Sequence, residues 1–391
     1  MVLKTIDDVV LGGKKVLLRV DFNVPLDEWG NITDDTRIRA TTRTIKTLLE
    51  KNVALVIVSH LGRPLGVDSS LSLRPIARRL GQIIKKEVKF APDSTGPEVE
   101  RMKANLKPGE VLLLENVRFH EEETKNDENF ARQLAAQLDA FVIDAFSAAH
   151  RAHASVSSVA RFLSPVVAGY LMAEELKYLD MVLENPSRPL VAIIGGKKLK
   201  TKLPVINNLL NKVDNLLIGG GMVFTFYKAK GYEVGSSIVD EDFLTEAGRL
   251  VGNEKLVIPT DCLVADRIGP NQLTEKVAAD AIPHNKVGVD IGPESLKRFC
   301  EIIKGGKTIL WNGPVGVFEY TTFADGTKAV AQTIGDAAST GAVAVVGGGE
   351  TISALNKFGL ADKMTHISMA GGAFLEYLAG NRLPGVEILN A

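Results

Sequence analysis

The feature that most constrains the fold is a short apolar run near mid-chain that ends at glycines and lysines. Leu190–Ile194 is followed by Gly195-Gly196 and then by four lysines within six residues. An apolar run of this length, bounded by glycines, is typical of a buried strand in a parallel sheet. Helical spacing resumes at Ile206, and we expect Thr201 to cap that helix, with Pro204 in its first turn. A strand-to-helix turn of this kind favours phosphate binding, and a solvated basic loop is the alternative.

The same alternation of apolar runs and amphipathic segments continues through both halves of the chain. Strands alternating with helices predict an α/β fold in which each sheet is parallel and its crossovers are right-handed. A chain of 391 residues is too long for one core, so we expect two domains. The predicted strands are 15–21, 53–58, 88–90, 110–114, 141–143, 190–194, 216–218, 256–258, 308–311, 343–346 and 366–368, and the clearest helices of the first half begin at Asp35 or Thr36 and near Leu73.

A helix between Gly169 and Asn185-Pro186 follows one complete α/β half and precedes the mid-chain strand. Its apolar positions, which step by four, three and four residues, are Met172, Leu176, Leu179 and Leu183. We interpret this helix as the link between two doubly wound, Rossmann-like domains with a hinge. The predicted division is an N-terminal domain at 1–168, the linker helix at 169–186, a C-terminal domain at 187–378 and a tail at 379–391.

Composition excludes several classes of protein. The formal net charge is −1, so no global field attracts nucleic acid. No run of about 18 apolar residues occurs and the first residues lack the core of a signal peptide, which favours a soluble, cytoplasmic protein. Cys262 and Cys300 have no metal or redox spacing and are expected to be small buried residues. Neither a Walker-type phosphate loop nor a protein-kinase catalytic loop is present, and no dinucleotide fingerprint follows the first strand.

The residues that follow the strands differ in kind between the two halves. Acids, histidines and arginines follow the strands of the first half, and glycines, lysines and a few acids follow those of the second. Arginine forks suit phosphate and carboxylate, whereas glycine turns at helix starts let backbone N–H groups approach a phosphate. We therefore expect a small, highly charged anion on one half and a nucleotide on the other. Closure about a hinge would then exclude water from the reaction.

Six motifs, in order along nearly the whole chain, carry a resemblance to the phosphoglycerate kinase family. They are RVDFNVP at 19–25, SHLGRP at 59–64, ENVRF at 115–119, AHRAHAS at 149–155, WNGP at 311–314 and KFGLADK at 357–363. The resemblance implies a Mg²⁺-dependent phosphotransferase of glycolysis and gluconeogenesis. Its reaction moves the 1-phosphate of 1,3-bisphosphoglycerate reversibly onto ADP, giving 3-phosphoglycerate and ATP. It implies small-molecule substrates, no membrane or nucleic-acid partner, and a monomer.

The resemblance also implies a role for individual residues. Those that bind phosphoglycerate would be Asp21, Asn23, Arg37, His60, Arg63, Arg118 and Arg151. Those that bind the nucleotide would be Lys198, Lys202, Gly219, Gly220, Gly292, Glu319, Gly348, Gly349, Glu350 and Thr351. Glu350 would bind the metal, Gly371 and Gly372 would begin a helix facing the transferred phosphate, and residues 384–389 would pack back on the first domain. A carboxylate or phosphate oxygen is already a competent nucleophile, so catalysis reduces to positioning and charge neutralisation, for which we select Arg37 and Lys198, with Lys202 beside them.

Four residues, in three places, depart from the family pattern. Lys197 replaces a small residue before the first binding lysine, and Glu350 replaces the aspartate thought to bind the metal. Met369-Ala370 stands where the family shows Thr-Gly. These changes recommend a non-catalytic binder of nucleotide or phosphometabolite as one alternative. A dinucleotide-dependent oxidoreductase and a polyanion-binding surface at 197–202 are two others, but the basic residues predict an active enzyme.

Overall fold

The computed structural model contains two six-stranded parallel sheets, which confirms the predicted α/β class. The structure describes residues 3–390. The chain divides into two compact units, of which the first runs to Leu176 and includes the segment from Arg382 onward, and the second is Lys177–Asn381. The division falls inside the helix Tyr170–Leu183, in the region where the sequence pattern predicts a linking helix.

The first unit is built on a sheet with strand order β3-β4-β2-β1-β5-β6. Its first strand is interior, and the chain adds strands first on one side of it and then on the other, so the strand order reverses at β1. The carboxyl ends beside such a reversal are where open α/β sheets bind ligands. The strands are β1 (Lys15–Val20), β2 (Ala54–Val58), β3 (Val88–Phe90), β4 (Val111–Leu113), β5 (Ala140–Asp144) and β6 (Val166–Ala168).

Helices connect these strands and cover the sheet, whose central strands β2 and β5 are buried at every position. The third helix shows the pattern, since Ile76, Ala77 and Leu80 are its buried face. The helices are α1 (Thr36–Ala40), α2 (Thr42–Glu50), α3 (Arg74–Ile84), α4 (Pro97–Ala104), α5 (Glu121–Thr124), α6 (Glu128–Ala135) and α7 (Tyr170–Leu183). The single helix predicted to begin at Asp35 or Thr36 is therefore two helices, which meet at Thr41.

The second unit repeats this plan with strand order β15-β14-β13-β7-β8-β9 in its parallel sheet. Its reversal lies between β7 and β13, which pair in register from Leu190 and Thr308 onward. The strands of this sheet are β7 (Leu190–Ile194), β8 (Asn215–Ile218), β9 (Leu256–Val257), β13 (Thr308–Asn312), β14 (Val343–Gly347) and β15 (His366–Ser368). Val191, Ile193 and Trp311 belong to the buried core on this sheet.

A three-stranded antiparallel sheet, which the sequence analysis does not predict, also belongs to the second unit. Its order is β11-β10-β12, from β10 (Asp261–Ala265), β11 (Glu275–Ala278) and β12 (Val287–Ile291). The helices of this unit are α8 (Leu203–Leu210), α9 (Val223–Ala229), α10 (Leu244–Val251), α11 (Pro293–Gly305), α12 (Asp325–Ser339), α13 (Gly349–Phe358) and α14 (Gly371–Leu378). The chain then enters the first unit with α15 (Pro384–Glu387), where the Gly385 amide donates to the Ala149 carbonyl at 2.9 Å.

The start of α8 differs from the prediction in one respect. Pro204 does lie in the first turn, but Lys202 occupies the N-cap position and no side chain caps the helix. Thr201 instead belongs to a short 3-10 turn and its hydroxyl donates to the Lys198 carbonyl at 3.1 Å. The predicted cap is therefore wrong, because the lysine-rich segment turns once more before the helix begins.

The two cysteines differ in their burial. Cys262 is buried as predicted, but Cys300 is half-buried and accepts a hydrogen bond from the Thr333 hydroxyl at 3.3 Å. Within residues 3–390, no helix combines the length and apolar character needed to cross a membrane.

Candidate functional site

In the first unit, the polar residues that follow β1, β2 and β5 converge on the Asp21 carboxylate. Asp21 is buried and accepts hydrogen bonds from the Arg37 guanidinium and the Ser147 hydroxyl. Its other oxygen accepts from the Asn23 amide at 3.0 Å. Burial alone would raise the pKa of Asp21, but the Arg37 guanidinium and the Ser147 hydroxyl lower it. Asp21 is therefore an anion that holds Arg37 in place.

Arg37 comes from the first turn of α1 and retains exposed surface, its side chain being 33% accessible. The recorded bond to Asp21 uses one terminal nitrogen of a fork that has five N–H donors. The remaining donors are available to an incoming anion, since a guanidinium binds carboxylate and phosphate in a planar, bidentate manner. Asp21 thus orients a cation without occupying all of it.

His60 lies beneath this pair and is held by a residue that the sequence analysis does not select, Arg19. Arg19 is fully buried, and its terminal nitrogen lies 3.1 Å from Nδ1 of His60. Because a guanidinium can only donate, Nδ1 accepts and the ring proton lies on Nε2. Burial lowers the pKa of His60 well below its usual value, so the ring is a neutral N–H donor at pH 7.

Arg19 is itself balanced by a buried carboxylate. Its Nε donates to the Ser155 hydroxyl at 2.9 Å, and that hydroxyl donates to Glu123 at 2.7 Å. Glu123 has no exposed surface, also accepts from the Ser155 amide at 2.9 Å, and has His153 3.6 Å away. These residues form a second layer behind the site, because a buried charge persists only when it is paired and hydrogen-bonded.

Arg118 adds a second oriented cation, on the turn after β4. It donates to the Gly62 carbonyl at 2.6 Å, while the Gly62 amide donates to Asn23 Oδ1 at 2.8 Å. Its Nε is buried and has no hydrogen-bond partner in the described part of the chain. Burial and then the nearby Arg19 and Arg151 lower the pKa of Arg118 to about 10. An orphaned buried donor among like charges is the arrangement that an anionic ligand would complete.

The two remaining arginines of the first unit are less tightly placed. Arg151 is half-buried, donates from Nε to His150 at 3.0 Å and lies near enough to lower the pKa of Arg118. Arg63 is exposed, on the loop beyond Gly62, and lies outside the contacts described above. The structure therefore brings Asp21, Asn23, Arg37, His60, Arg118 and Arg151 together and leaves Arg63 at the margin.

In the second unit, the two predicted lysines differ in their surroundings. Lys202, at the N-cap of α8, donates to Oδ1 of Asn312, whose Nδ2 in turn donates to the Gly347 carbonyl at 2.8 Å. Burial lowers the pKa of Lys202, and the charge of Glu350 opposes that shift. Lys198 is exposed. One ammonium is thus held at the carboxyl ends of β7 and β13, and the other is free to meet a ligand.

Three glycine segments cross one another at the carboxyl ends of β7, β8 and β13. The Gly195 amide donates to the Asn312 carbonyl at 2.8 Å, and the Gly220 amide donates to the Val315 carbonyl at 2.9 Å. Gly220 has a φ of +71°, and a Cβ there would lie 2.6 Å from both N and O of Gly196. Only glycine lets these backbones meet, so the segment that carries the lysines packs main chain against main chain.

A cavity of about 590 Å³ opens beside this crossing. Its wall includes Gly220, Glu319 and Glu350, all predicted for the nucleotide, and apolar residues such as Phe224 and Ile291. A largely apolar pocket with few polar groups at one end suits a nucleoside with phosphates at that end. The predicted residues that do not line the cavity are Lys198, Lys202, Gly219, Gly292, Gly348, Gly349, Thr351, Gly371 and Gly372.

Several of those residues lie at the starts of helices instead. Gly348 is the N-cap of α13, with a φ of +99°, and the Thr351 hydroxyl accepts from the Gly313 amide at 2.7 Å. Gly371 begins α14, with open space where a Cβ would stand. Gly292 instead packs tightly against Asp261 at the start of α11, which indicates a structural role.

Asp290 is a carboxyl on the cavity wall, in the segment 288–293 that the family resemblance assigns to the adenosine side. It accepts from the Gly326 amide at 2.7 Å and the Ile291 amide at 2.9 Å, so it joins β12 to the start of α12. Burial raises its pKa to about 7 despite these donors. Asp290 is buried because β12 and the start of α12, which are distant in sequence, pack together there. No local sequence pattern predicts this burial.

The residues present fit a magnesium ion carried by a nucleotide better than a metal site made by protein alone. Within residues 3–390, no group of three or more His, Cys, Asp or Glu side chains is placed to hold a metal. Mg²⁺ in phosphoryl-transfer sites is bound by one or two carboxylates with phosphate oxygens and water. Glu350, in the first turn of α13 and on the cavity wall, supplies one such carboxylate.

Comparisons with known proteins agree over nearly the whole chain. The family model for phosphoglycerate kinase matches residues 6–381. The phosphoglycerate kinase of Nostoc sp. is 52% identical over 385 residues, covering 97% of this chain and 96% of that protein. The cytosolic phosphoglycerate kinase 3 of Arabidopsis thaliana is 52% identical over 391 residues, covering 99% and 98%.

Solved structures give the same result for the fold. The phosphoglycerate kinase of Coxiella burnetii matches with a TM-score of 0.91 at 38% identity, covering 99% of each chain. That of Pyrococcus horikoshii matches with a TM-score of 0.85 at 31% identity, covering 99% of this chain and 98% of that one. The buried arginine cluster of the first unit and the glycine-walled cavity of the second thus occur in a chain that belongs to the phosphoglycerate kinase family.

Proposed function

We propose that this chain transfers the 1-phosphate of 1,3-bisphosphoglycerate reversibly to ADP, with the phosphoglycerate bound by the first unit and the nucleotide by the second. The chain is a kinase by family, and that family is one of glycolysis. The observation that carries the residue assignment is the buried donor set of the first unit. Asp21 orients Arg37, Arg19 orients His60, and Arg118 retains an unpartnered Nε.

The donor set suits a triose that carries phosphate and carboxyl groups. Arg37 and Arg118 offer charged forks, and His60 offers a neutral N–H, so the set combines two cations with one neutral donor. We assign Asp21, Asn23 and Arg151 to the same substrate, and Arg63 to its exposed end. Preorganised donors of this kind stabilise developing negative charge without reorganising during the reaction.

The second unit would hold the nucleotide phosphates through Lys198 and Lys202, and the ribose through Glu319. Lys202 is already oriented by Asn312, so its charge needs little rearrangement. The free amides at the starts of α13 and α14 would take phosphate oxygens, at Gly348 to Thr351 and at Gly371 and Gly372. Mg²⁺ would be held by Glu350 with the phosphates, and would neutralise charge on the transferring group.

The chemical step requires positioning more than proton transfer. In the forward direction the attacking atom is an oxygen of ADP, and in the reverse direction it is a carboxylate oxygen, so neither needs a general base. We assign neutralisation of the charge on the transferring phosphoryl group to Arg37 of the first unit and Lys198 of the second. Removal of one such donor typically lowers the rate on the order of 10²- to 10³-fold.

The direct test is ATP formation from 1,3-bisphosphoglycerate, ADP and Mg²⁺ by purified protein. Arg37→Ala should lower kcat about 10²- to 10³-fold. Arg39→Ala is the matched control, because Arg39 lies in the same short helix but pairs with Asp35 and is exposed. Its rate should stay within about twofold of wild type, since exposed ion pairs contribute little. Equal losses in both variants would refute the assignment of Arg37.

A non-catalytic binder is the second candidate, and Glu350, Met369 and Ala370 are what favour it. Met369-Ala370 directly precedes α14, where Ala370 is the N-cap, so a hydroxyl is absent from a turn we assign to the phosphoryl group. Such a protein would show ligand-induced shifts of its melting temperature but no ATP formation. The coupled assay and a melting series with the same ligands separate the two candidates.

We also propose that the protein acts in the cytoplasm, as a monomer and on small molecules alone. Plant relatives are named as cytosolic phosphoglycerate kinases, which supports the location. Sedimentation of the purified protein at two concentrations tests the monomer. A mass that rises with concentration would contradict it.

A further inference from the structure

The ionisable side chains on the wall of the nucleotide cavity are unevenly balanced. Asp290, Glu319 and Glu350 line it, and in the described chain Lys197 is the one lysine, arginine or histidine among the lining residues. Lys198 and Lys202 lie outside the wall, and Lys202 is bound to Asn312. A polyphosphate in this cavity would therefore face three carboxyl groups and one cation on the wall itself, with Lys198 and Lys202 beyond the wall.

Lys197 has an anchored backbone and a free side chain. The preceding Gly196 accepts from the Met222 amide through its carbonyl and donates through its amide to the Pro314 carbonyl, each at 3.1 Å. The Lys197 carbonyl lies 3.0 Å from where a Cβ of Gly221 would stand, so its main chain is closely packed. Its side chain is exposed. The ammonium can swing on four methylenes while its point of attachment stays at the cavity wall.

We propose that Lys197 is a nucleotide-selecting residue of this chain, which binds the phosphates directly and makes nucleotide affinity less dependent on a divalent cation. The proposal rests on the proposed function, because it assumes that the cavity takes a nucleoside diphosphate or triphosphate. A free diphosphate brings several negative charges toward Glu319 and Glu350, and Mg²⁺ would normally screen them. An ammonium on the same wall does part of that screening when the metal is scarce.

The charge on the ligand is the variable that tests this role. We would measure dissociation constants of adenosine, AMP and ADP, each with excess EDTA and with Mg²⁺, for wild type and Lys197→Ala. ADP affinity in EDTA should fall roughly three- to tenfold, the range expected for one partly exposed charged contact. The loss should be smaller with Mg²⁺ and for AMP, and adenosine should bind both proteins equally.

Three controls separate this role from a structural one. Lys197→Arg should retain ADP binding in EDTA because it keeps the charge. Lys200→Ala should leave every constant unchanged, because Lys200 is an exposed neighbour outside the cavity wall. In the coupled assay, Lys197→Ala should raise KM for ADP while kcat stays within about twofold, which a distorted site would not do.

The outcomes are distinguishable from failure of the proposed function. Wild type that binds no ADP would refute both proposals. Wild type that binds and converts ADP, with Lys197→Ala showing an unchanged ADP constant in EDTA, would refute only the role of Lys197. An equal loss for adenosine and ADP would also overturn it, since the side chain would then pack on the nucleoside and not on the phosphates.

Discussion

Replacing Gly195 with alanine tests whether the second unit depends on contact between backbones at the carboxyl edge of its sheet. Gly195 follows β7 directly, and its φ lies outside the left-handed region. Alanine therefore carries no conformational strain there, and the whole effect is steric. A Cβ at this position would lie 2.7 Å from the carbonyl carbon of Pro314 and closer still to the carbonyl oxygens of Gly313 and Pro314.

The magnitude follows from what must move. Ordinary contact begins at about 3.4 Å, so the Gly313-Pro314 segment must retreat by most of an ångström to clear the carbon and by more to clear the two carbonyl oxygens. Overpacking of this kind typically costs about 1–3 kcal/mol. The segment cannot retreat freely, because Gly195 donates to Asn312 at 2.8 Å and Gly196 to Pro314 at 3.1 Å. Weakening two such bonds adds about 1 kcal/mol or more, so we expect a loss of about 3 kcal/mol.

Gly248→Ala is the matched control in the same unit. Gly248 lies inside α10, and no atom beyond its own helix lies within 4 Å of where its Cβ would stand. Alanine there should stabilise the protein by about 0.5–1 kcal/mol, because glycine in a helix interior has the greater backbone entropy to lose. Replacing glycine with alanine should therefore lower the free energy of unfolding at position 195 and raise it at position 248.

Urea unfolding followed by tryptophan fluorescence reports on the correct unit. Trp311 is fully buried in the second unit, whereas Trp29, in the first, is already 78% exposed. The emission shift on unfolding therefore comes chiefly from Trp311. ADP titration of the same proteins should show weaker binding for Gly195→Ala only. If that variant unfolded at the urea concentration of wild type, or if Gly248→Ala lost as much stability, the backbone crossing would not be the constraint we infer.

Three further predictions concern buried charges of the first unit. Arg19→Met should destabilise it by about 3–5 kcal/mol in urea unfolding followed by circular dichroism, since Glu123 would lose its buried cation. Glu123→Gln should also destabilise it, and the double variant should lose less than the sum; additive losses would disprove the coupling. Burial raises the pKa of Asp144 from 3.8 to about 6, so its ionisation opposes folding and stability falls as pH rises through 6. Asp144→Asn should therefore gain about 3 kcal/mol relative to wild type between pH 4 and pH 8, and a pH-independent difference would contradict this.

Local patterns predict the sheets well because parallel strands here are buried on both faces. β2 and β7 are continuous apolar runs, β5 and β13 are apolar except at their ends, and all four strands are buried at every position. The antiparallel sheet escapes the same reasoning. Its strand β11 is Glu275–Ala278, which is charged and largely exposed, so no apolar run marks it. β11 forms because the backbone groups on one edge of β10 are available for pairing. An available strand edge has no sequence signature of its own.

Strand ends also predict which side chains lie at the first unit's site, but not what supports them. Asp21 follows β1 directly and His60 follows β2 after one residue, and those positions alone place them at the carboxyl edge of the sheet. Arg19 lies inside β1. A charged residue within an apolar run would ordinarily be predicted to face solvent. Its partners Ser155 and His60 are 136 and 41 residues away in sequence, so only the folded chain reveals why this arginine is buried.

The anion sites that we propose for the two units are built by opposite means, although each unit contains a parallel sheet with an interior first strand. The first unit buries guanidinium groups and balances them with Asp21 and Glu123, so its site depends on charge and tolerates little change of sign. The second removes side chains at Gly195 and Gly220, so its site depends on volume and tolerates little added bulk. Charge-neutral substitutions of similar shape should therefore disable the first unit, while a single methyl group should disable the second. Lys197 has a long side chain beside this crossing of glycine segments, but only its backbone packs there and the side chain is exposed.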